Sequence, residues 1–279
     1  MKIIADCGAT KSEWRVLHSD GTVSKLTAKG INASAMSAES IFRIISDITE
    51  QISATDTSDA EIYLYLAGFP SDTLKTEITG VFSHGFNVSH IEFQTDLTAA
   101  ARAICGHRPG IAAILGTGSN SCQYDGEKIV KQIYSGGFIL GDEGSAATLG
   151  RLFVSDFIKG LVPSEVAEDF KSRFQSDYSS IVASIYKSAD SPSGYLGNLA
   201  PFIMEHYGHP YIKELVDGNF RAFFRRCIKQ YDTDTNSVGI VGGFGYALQE
   251  TIRAIASEEG ISVSSFVQTP INGLIEYHK

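Results

Sequence analysis

The sequence predicts an α/β fold with two related halves, each built on a mixed sheet with flanking helices. A meander of three short strands occurs twice along the 279 residues, and a fixed repeat of this kind indicates duplicated structure. Each copy has a small turn, rich in glycine and hydroxyl residues, between its first two strands. After the first meander, strand-like and helix-like segments alternate, which is typical of a sheet covered by helices.

The first half starts with the meander and continues with alternating elements. Its predicted strands are Lys2–Asp6, Glu13–His18 and Thr22–Ala28, with a tight turn at Asp20-Gly21. Isoleucines then recur at helical spacing over Ala38–Ser53. The remaining segments predict the strand Ile62–Ala67, the helix Ser71–Ser83, the strand Ile91–Gln94 and the helix Leu97–Cys105.

The second half repeats the meander and is then mostly helical. Its strands are Gly110–Leu115, Asn120–Tyr124 and Lys128–Ile133, with a turn at Asp125-Gly126. Helices are predicted over Ala146–Lys159, Ser164–Phe174, Ser179–Ser188, Leu196–Tyr207 and Pro210–Tyr231. The strand Ser237–Val241, the helix Tyr246–Glu259, the strand Ser264–Gln268 and the helix Asn272–Tyr277 complete the chain. Pro109 and Gly110 interrupt the pattern, so the domain boundary is expected near them.

Composition limits the classes of partner. With 43% hydrophobic residues the chain can bury two cores. A formal net charge of -9 opposes binding to nucleic acid or to an anionic membrane. The four cysteines are scattered singly, and neither a secretory signal nor a membrane-spanning apolar run is evident. We therefore expect a cytoplasmic protein without disulfides.

The first turn, Cys7–Ser12, has the composition of a phosphate-binding loop. Its small residues let the backbone approach a phosphate closely, and Thr10 adds a hydroxyl. Asp6, at the end of the preceding strand, could hold Mg²⁺ through a water molecule. An ordinary hairpin turn with an exposed aspartate explains this segment equally well.

The second turn, Gly116-Thr117-Gly118-Ser119-Asn120, has the same character and also follows an apolar strand. One Gly-Thr-Gly segment is weak support, since many turns have this composition. Two such turns, each between paired strands of a repeated meander, favour a nucleotide whose phosphates are held between them.

Asp96 lies where a strand ends and an alanine-rich helix begins. At such a position an aspartate most often caps the helix. The alternative is a general base that accepts a proton from a sugar hydroxyl as it attacks a γ-phosphate.

Two further glycine-rich segments carry candidate ligand contacts. Asp142 and Glu143 follow Gly141 directly before a helix, where they could bind sugar hydroxyls or cap the helix. Gly242-Gly243 follows an apolar strand and would permit close approach of a flat base or a ribose, although a plain strand-to-helix turn looks the same.

Taken together, these segments resemble the BadF/BadG/BcrA/BcrD ATPase family of the actin/hexokinase/Hsp70 superfamily, which includes N-acetylglucosamine kinases. The resemblance runs nearly end to end, through IIADCGATKSEWRV, GIN, LAGFP, TDLTAAA, GTGSNS, GDEGSA and VGGFG. It implies two RNase-H-like (actin-like ATPase) domains with a central cleft, at residues 1–108 and 109–269. The second would contain a helical insertion, and the last helix, about residues 270–279, would pack back on the first.

The resemblance also implies roles for individual residues. Asp96 matches the catalytic base. The positions that match contacts to ATP are Thr10, Lys11, Gly116, Thr117, Gly118, Gly242 and Gly243. Those that match contacts to the amino sugar are Asn32, Ser119, Asn120 and Asp142. ATP and Mg²⁺ are the expected cofactors, a small sugar is the expected substrate, and a homodimer is a possible assembly.

The chain departs from the family pattern at three places. Cys7 and Ala9 replace glycines of the first turn, and Ser34 replaces a large aromatic residue that could stack on the sugar. The loop before Gly141 is two residues shorter than in the kinases, with an aromatic-glycine pair reduced to Phe138.

The leading hypothesis is an ATP-dependent kinase of an amino sugar, with N-acetylglucosamine first. Glucosamine, N-acetylmuramic acid and other hexoses follow. One alternative is an ATPase that activates a partner enzyme through an iron–sulfur cluster between subunits. Cys105 and Cys122 have no close cysteine in sequence, which argues against it. The other is a non-catalytic sugar sensor, against which the presence of Asp96 argues.

Overall fold

The computed structural model describes residues 1–8, 11–54, 56, 58–187 and 191–279. The chain forms two compact units. The first comprises Met1–His107 together with Pro270–Lys279, and the second is Arg108–Thr269. Each unit contains one five-stranded mixed sheet. This confirms the predicted α/β class with two related halves.

The sheet of the first unit has the strand order β3-β2-β1-β4-β5. β1 pairs antiparallel with β2 and parallel with β4, and β4 pairs parallel with β5. The parallel strands therefore end at one edge of the sheet. The five strands are β1 (Lys2–Cys7), β2 (Lys11–Leu17), β3 (Val23–Lys29), β4 (Ala60–Leu66) and β5 (Val88–Thr95).

Helices of the first unit cover this sheet. They are α1 (Ala38–Ser53), α2 (Asp72–Ser83), α3 (Asp96–Cys105) and the C-terminal α13 (Ile271–Tyr277). α1 buries Ile41, Ile44, Ile45, Ile48 and Ile52, the stripe that predicted it. α13 packs against α3 so closely that a Cβ at Gly273 would lie 2.5 Å from the Ala103 carbonyl oxygen. A glycine at this position therefore permits the contact.

The sheet of the second unit has the order β10-β9-β6-β7-β8. β6 pairs antiparallel with β7 and parallel with β9, and β9 pairs parallel with β10. This is the arrangement of the first sheet, which explains the repeated meander in the sequence. The strands are β6 (Gly110–Leu115), β7 (Ser119–Tyr124), β8 (Ile129–Ile133), β9 (Val238–Val241) and β10 (Val263–Val267).

The helices of the second unit form most of its core. Phe153 lies edge-on to Phe170 and to Phe202, with ring centroids 5.1 and 5.8 Å apart, a favourable geometry for aromatic pairs. The helices are α4 (Gly137–Leu140), α5 (Ala146–Phe157), α6 (Ser164–Phe174), α7 (Tyr178–Tyr186), α8 (Pro192–Gly197), α9 (Ala200–Glu205), α10 (Pro210–Arg226), a 3-10 turn (Ile228–Gln230), α11 (Gly243–Ala247) and α12 (Gln249–Glu258).

Three predicted helices differ from those observed. The helix expected over Leu196–Tyr207 is interrupted after Gly197, and α9 begins at Ala200 with Pro201 in its first turn. Proline lacks an N–H, so it suits the start of a helix and not its interior. The helix expected to run to Tyr231 becomes a 3-10 turn after Arg226, and the one expected from Tyr246 begins at Gly243 and is interrupted at Leu248.

The remaining differences are smaller and include shifted element ends, such as that of α5 at Phe157 where Lys159 was predicted. α4 lies within a segment expected to be a loop, and α7 ends at Tyr186. Ser188, the predicted end of α7, lies outside the described residues. Among the described residues, no helix is long and apolar enough to cross a membrane.

Candidate functional site

Two aspartates lie at the carboxyl edge of the first sheet. Asp6 is the penultimate residue of β1, and Asp96 directly follows β5. The register pairs Asp6 with Tyr65 on β4, and Leu66 with Thr95 on β5. Since these strands are parallel, both carboxylates belong to one edge, where the negative charge of Asp96 contributes to the raised pKa of Asp6.

Asp96 is the first residue of α3 and not its N-cap. The cap is Thr95, whose Oγ1 accepts a hydrogen bond from the Thr98 N–H at 3.1 Å. The capping role considered for Asp96 is therefore wrong. Its Oδ1 accepts the Leu97 N–H at 2.8 Å. Burial raises the pKa of the Asp96 carboxyl, and the Leu97 hydrogen bond opposes part of that rise, so its carboxylate is a stronger proton acceptor than an exposed one.

Asp6 has a pKa raised to about 7, chiefly by burial and then by the charges of Asp96 and Glu13. A hydrated Mg²⁺ needs few protein carboxylates because it keeps most of its waters. The described residues contain no group of three or more histidines, cysteines, aspartates or glutamates that could hold a metal. The Asp6 carboxylate is buried beside other carboxylates, so its negative charge is poorly balanced by nearby positive charge. Such a carboxylate suits a hydrated Mg²⁺.

The first turn is only partly described, because Thr10 lies outside the described residues. Lys11 begins β2, and its Nζ contacts Glu13 Oε1 at 2.6 Å, with 59% of the side chain exposed. Its charge is thus shared with a carboxylate of the same strand. The Gly8 N–H donates to the Lys11 carbonyl at 3.0 Å and fixes the width of the turn.

Asn32 lies beside this turn. The Ile31 N–H donates to the Gly8 carbonyl at 3.0 Å, and Asn32 forms a parallel bridge with Ala67 directly after β4. Its Oδ1 accepts the Ser34 N–H at 3.0 Å. The structure therefore brings Asn32 to the sheet edge where β1 and β4 end, beside the first turn.

The second turn connects β6 to β7. The Gly116 N–H donates to the Gly118 carbonyl at 2.9 Å. The N–H groups of Ala146 and Ala147 donate to the Gly116 and Thr117 carbonyls at 3.0 Å each. The first turn of α5 thus holds this loop in place.

Asp142 lies against the second turn. A Cβ at Gly118 would lie 3.1 Å from Asp142 Oδ2, so glycine there permits the approach. The carboxylate accepts hydrogen bonds from the Ser119 N–H and the Ser135 hydroxyl, while burial raises its pKa. Asn120 is close by on β7, and its Oδ1 accepts the Ser121 N–H at 2.9 Å.

The helix that follows is capped by a serine. Ser145 Oγ accepts the Thr148 N–H at 3.1 Å, so the alternative in which Asp142 or Glu143 caps α5 is wrong. Glu143 instead forms an ion pair with Arg226, with Oε1 2.8 Å from Nε. Of the two acidic residues, Asp142 is therefore the one that lies against the second turn.

Gly242 occupies a position that only glycine fits. Its φ is +126°, and a Cβ there would lie 2.3 Å from the Leu115 carbonyl oxygen. The β9–α11 turn therefore reaches the backbone at the start of the second turn. At Gly243 a Cβ would meet nothing within 4 Å.

A cavity of about 540 Å³ in the second unit is bordered by Gly116, Thr117 and Gly243. Its volume suits a small-molecule ligand. The other lining residues are Ala146, Gly197, Ala200, Pro201, Met204, Phe244, Ala247 and Leu248. Sequence reasoning missed these eight, because small and apolar residues at helical spacing look the same in a core and in a cavity wall. The Gly197 and Pro201 interruption was the one available signal.

Several solved structures are similar to this chain over nearly its whole length. No protein family model and no curated protein matches the chain. A structure from Porphyromonas gingivalis, named "Putative N-acetylglucosamine Kinase", is 29% identical with a TM-score of 0.88, covering 100% of this chain and 98% of that one. One of the same name from Chromobacterium violaceum is 19% identical, with a TM-score of 0.74 and the same coverage.

A ROK family glucokinase from Streptomyces griseus, solved in complex with glucose and AMPPNP, is also similar. It is 15% identical with a TM-score of 0.56, and the match covers 99% of this chain and 97% of that one. At this identity the likeness concerns the fold alone.

Proposed function

We propose that this chain is an ATP-dependent kinase of a small amino sugar, with N-acetylglucosamine as the first candidate. One observation carries the proposal: a cavity of about 540 Å³ opens on the glycine-rich turn at Gly116 and Thr117. Apolar walls suit a nucleobase and ribose, and a backbone turn suits phosphates. The likeness to the Porphyromonas gingivalis protein supports the same reading.

Asp96 is the proposed general base. It removes the proton from the attacking sugar hydroxyl, the oxygen forms a bond to the γ-phosphorus, and the bond to the β-phosphate oxygen breaks to release ADP. A carboxylate whose pKa is raised by burial keeps a transferred proton more readily than an exposed carboxylate does. Little other covalent chemistry falls to the protein in phosphoryl transfer.

ATP binding is assigned to both turns and to the cavity. Gly116, Thr117 and Gly118 would bind phosphate oxygens, and Gly242 and Gly243 would border the adenosine. Thr10 and Lys11 would contact phosphates from the first turn. Mg²⁺, held through water near Asp6, would neutralise charge on the β- and γ-phosphates.

The amino sugar is assigned to Asn32, Ser119, Asn120 and Asp142. Several hydroxyls must be recognised at once, and a carboxylate together with two carboxamides offers both acceptors and donors. Asp142 lies beside Ser119, as such a cluster requires.

The proposal extends to classification and setting. The sequence motifs favour the BadF/BadG/BcrA/BcrD ATPase family, a cytoplasmic location and, as in many such proteins, a homodimer. The alternative of an activator with a cluster between subunits is disfavoured by burial: Cys7, Cys105, Cys122 and Cys227 are 0–7% exposed. Sulfurs that bind a shared cluster must reach the subunit surface.

A panel of sugars tests the proposal. The purified chain is incubated with ATP, Mg²⁺ and each of N-acetylglucosamine, glucosamine, N-acetylmuramic acid and glucose, and ADP release is followed by a coupled assay. We expect sugar-dependent ADP release with at least one amino sugar, and a product heavier by one phosphoryl group. ADP release that no sugar accelerates would contradict the proposal.

A further inference from the structure

The loop Gly141–Ser145 holds Asp142 in an uncommon backbone conformation. Asp142 has φ of +53°, a region that residues other than glycine seldom adopt, and only 8% of the residue is exposed. Its N–H donates to the Ser135 carbonyl at 2.9 Å, and its carbonyl accepts the Ser145 N–H at 3.0 Å. A conformation of this kind persists only when its surroundings hold it in place.

Part of that hold comes from α10, through the carboxamide of Asn219. This side chain is 2% exposed. Its Oδ1 accepts the Gly144 N–H at 2.9 Å, and its Nδ2 donates to the Ser145 carbonyl at 3.1 Å. One carboxamide therefore satisfies a donor and an acceptor of the loop at once, which neither an aliphatic side chain nor a carboxylate can do.

Two further residues on the same face of α10 contact the loop. Phe223 is four residues after Asn219, and it packs on Gly144, where φ is +80° and a Cβ would lie 2.8 Å from the Phe223 Cβ. Arg226, seven residues after Asn219, pairs with Glu143. Spacings of four and seven place all three on one side of a helix. The Arg226 side chain is 69% exposed, so its ion pair contributes least.

We infer that Asn219 is a positioning residue, which fixes the loop so that the Asp142 carboxylate is preorganised for the sugar. The inference rests on the proposed function, because it assigns Asn219 an effect on sugar affinity. The carboxamide of Asn219 contacts the loop through Gly144 and Ser145, so its effect on Asp142 would pass through the loop backbone. Its loss would leave the buried Gly144 N–H without its acceptor.

The test compares Asn219→Ala with Val216→Ala. Val216 is fully buried on the same helix, so its truncation controls for general loosening of the core. We expect Asn219→Ala to raise the KM for the sugar about tenfold or more, the range of a lost buried hydrogen bond. Its KM for ATP should stay within about twofold of wild type, and Val216→Ala should change neither KM by more than this.

The variant Asn219→Asp adds a second measurement, the pH dependence of the sugar KM. A residue that only stabilised the fold would not change this pH dependence. The ionised aspartate would oppose the Ser145 carbonyl, and burial would raise its pKa. Once protonated, it can donate to that carbonyl again. The sugar KM of Asn219→Asp, divided by that of wild type at the same pH, should therefore fall as pH is lowered from about 8 to about 5.5.

The outcomes separate the inference from the proposed function. Wild-type protein that phosphorylates no sugar would overturn the proposed function, and the inference with it. If the wild type is active, two results would overturn the inference alone. One is a sugar KM that rises equally in Asn219→Ala and Val216→Ala. The other is a ratio of the Asn219→Asp sugar KM to the wild-type sugar KM that does not change with pH.

Discussion

The two units share one sheet topology but present different chemistry at the carboxyl edge. In the first unit, β1 and β5 lead to Asp6 and Asp96, carboxyls whose pKa values are raised by burial. In the second unit, β6, the counterpart of β1, leads to Gly116, and β9, the counterpart of β4, leads to Gly242. The first edge therefore suits proton and metal chemistry, and the second suits close approach of a phosphate. Two copies of one sheet topology can thus carry different side chains at the same edge.

The largest expected effect concerns Asp96. We predict that Asp96→Asn lowers turnover by a factor of about 10²–10⁴, the usual contribution of a general base, while the sugar still binds nearly normally. The measurement is kcat from the coupled assay, together with the Kd of the sugar from calorimetry.

Asp72 supplies the matched control. It is also the first residue of a helix that follows a hydroxyl N-cap, Ser71. Asp72→Asn should leave kcat unchanged. Near-normal turnover in Asp96→Asn would show that Asp96 is not the general base. The proposed difference in chemistry between the two sheet edges would then be wrong.

The second effect concerns the glycine edge of the second unit. Gly242→Ala would place a Cβ 2.3 Å from the Leu115 carbonyl oxygen, with φ at +126°. Strain of this kind costs about 1–3 kcal/mol or more, so the thermal midpoint should fall by several degrees and ATP affinity should fall with it. Calorimetric scans and ATP titrations measure both.

Gly243→Ala is the control for stability, since a Cβ there meets nothing within 4 Å. Its thermal midpoint should stay near that of wild type. If both variants unfold at the same temperature, the close approach of Gly242 to the Leu115 carbonyl oxygen does not affect stability.

The third effect is a pH dependence that belongs to the first unit. Burial and the charges of Asp96 and Glu13 raise the pKa of Asp6 to about 7 in the folded protein, against an ordinary value of 3.8. The folded state thus binds this proton more tightly than the unfolded state. Its contribution to stability is complete below about pH 4 and is lost as pH rises through about 7.

Urea unfolding without Mg²⁺, at several values between pH 4 and pH 8, measures this loss. The free energy of unfolding of wild type should decrease across that range relative to Asp6→Asn, and Mg²⁺ should restore part of it at high pH in wild type only. Parallel pH profiles for the two proteins would contradict the shift assigned to Asp6.

The smallest effect concerns helix N-caps, because each unit has a helix capped by a hydroxyl residue. Thr95 caps α3 and Ser145 caps α5, each through a hydroxyl that accepts an N–H three residues on. Thr95→Ala and Ser145→Ala should each lower the free energy of unfolding by about 1 kcal/mol, and Thr95→Ser should restore most of the loss. A loss in Asp96→Asn but not in Thr95→Ala would return the capping role to Asp96.

The sequence predicted those features that short-range chemistry determines. The helices Ala38–Ser53 and Ser164–Phe174 have the predicted bounds because their buried residues recur at helical spacing. The strand Gly110–Leu115 also has the predicted bounds, as a short apolar run between a proline and a glycine-rich turn. The choice of cap was not predictable. Thr95 and Asp96 are both good capping residues, and only the backbone conformation of Thr95, with φ -84° and ψ 160°, identifies the cap.

Apart from the interruption at Gly197 and Pro201, the cavity walls could not be predicted either. Met204 and Phe244 border the cavity, whereas Phe202 and Phe220 lie in the core, and nothing in the local pattern separates the two pairs. The loop contacts of Asn219 join positions 74 and 75 residues apart in the chain. Contacts of that range depend on how the helices pack, which one sequence alone does not reveal.

The fate of the γ-phosphoryl group tests the central claim most directly. The chain is incubated with ATP, Mg²⁺ and N-acetylglucosamine in water enriched in ¹⁸O, and the phosphorylated products are analysed by mass spectrometry. If a sugar hydroxyl is the acceptor, the account predicts a sugar phosphate with no ¹⁸O in its phosphoryl group and little free phosphate. Free phosphate that carries one ¹⁸O atom, beside unmodified sugar, would show that water is the acceptor and would contradict the account.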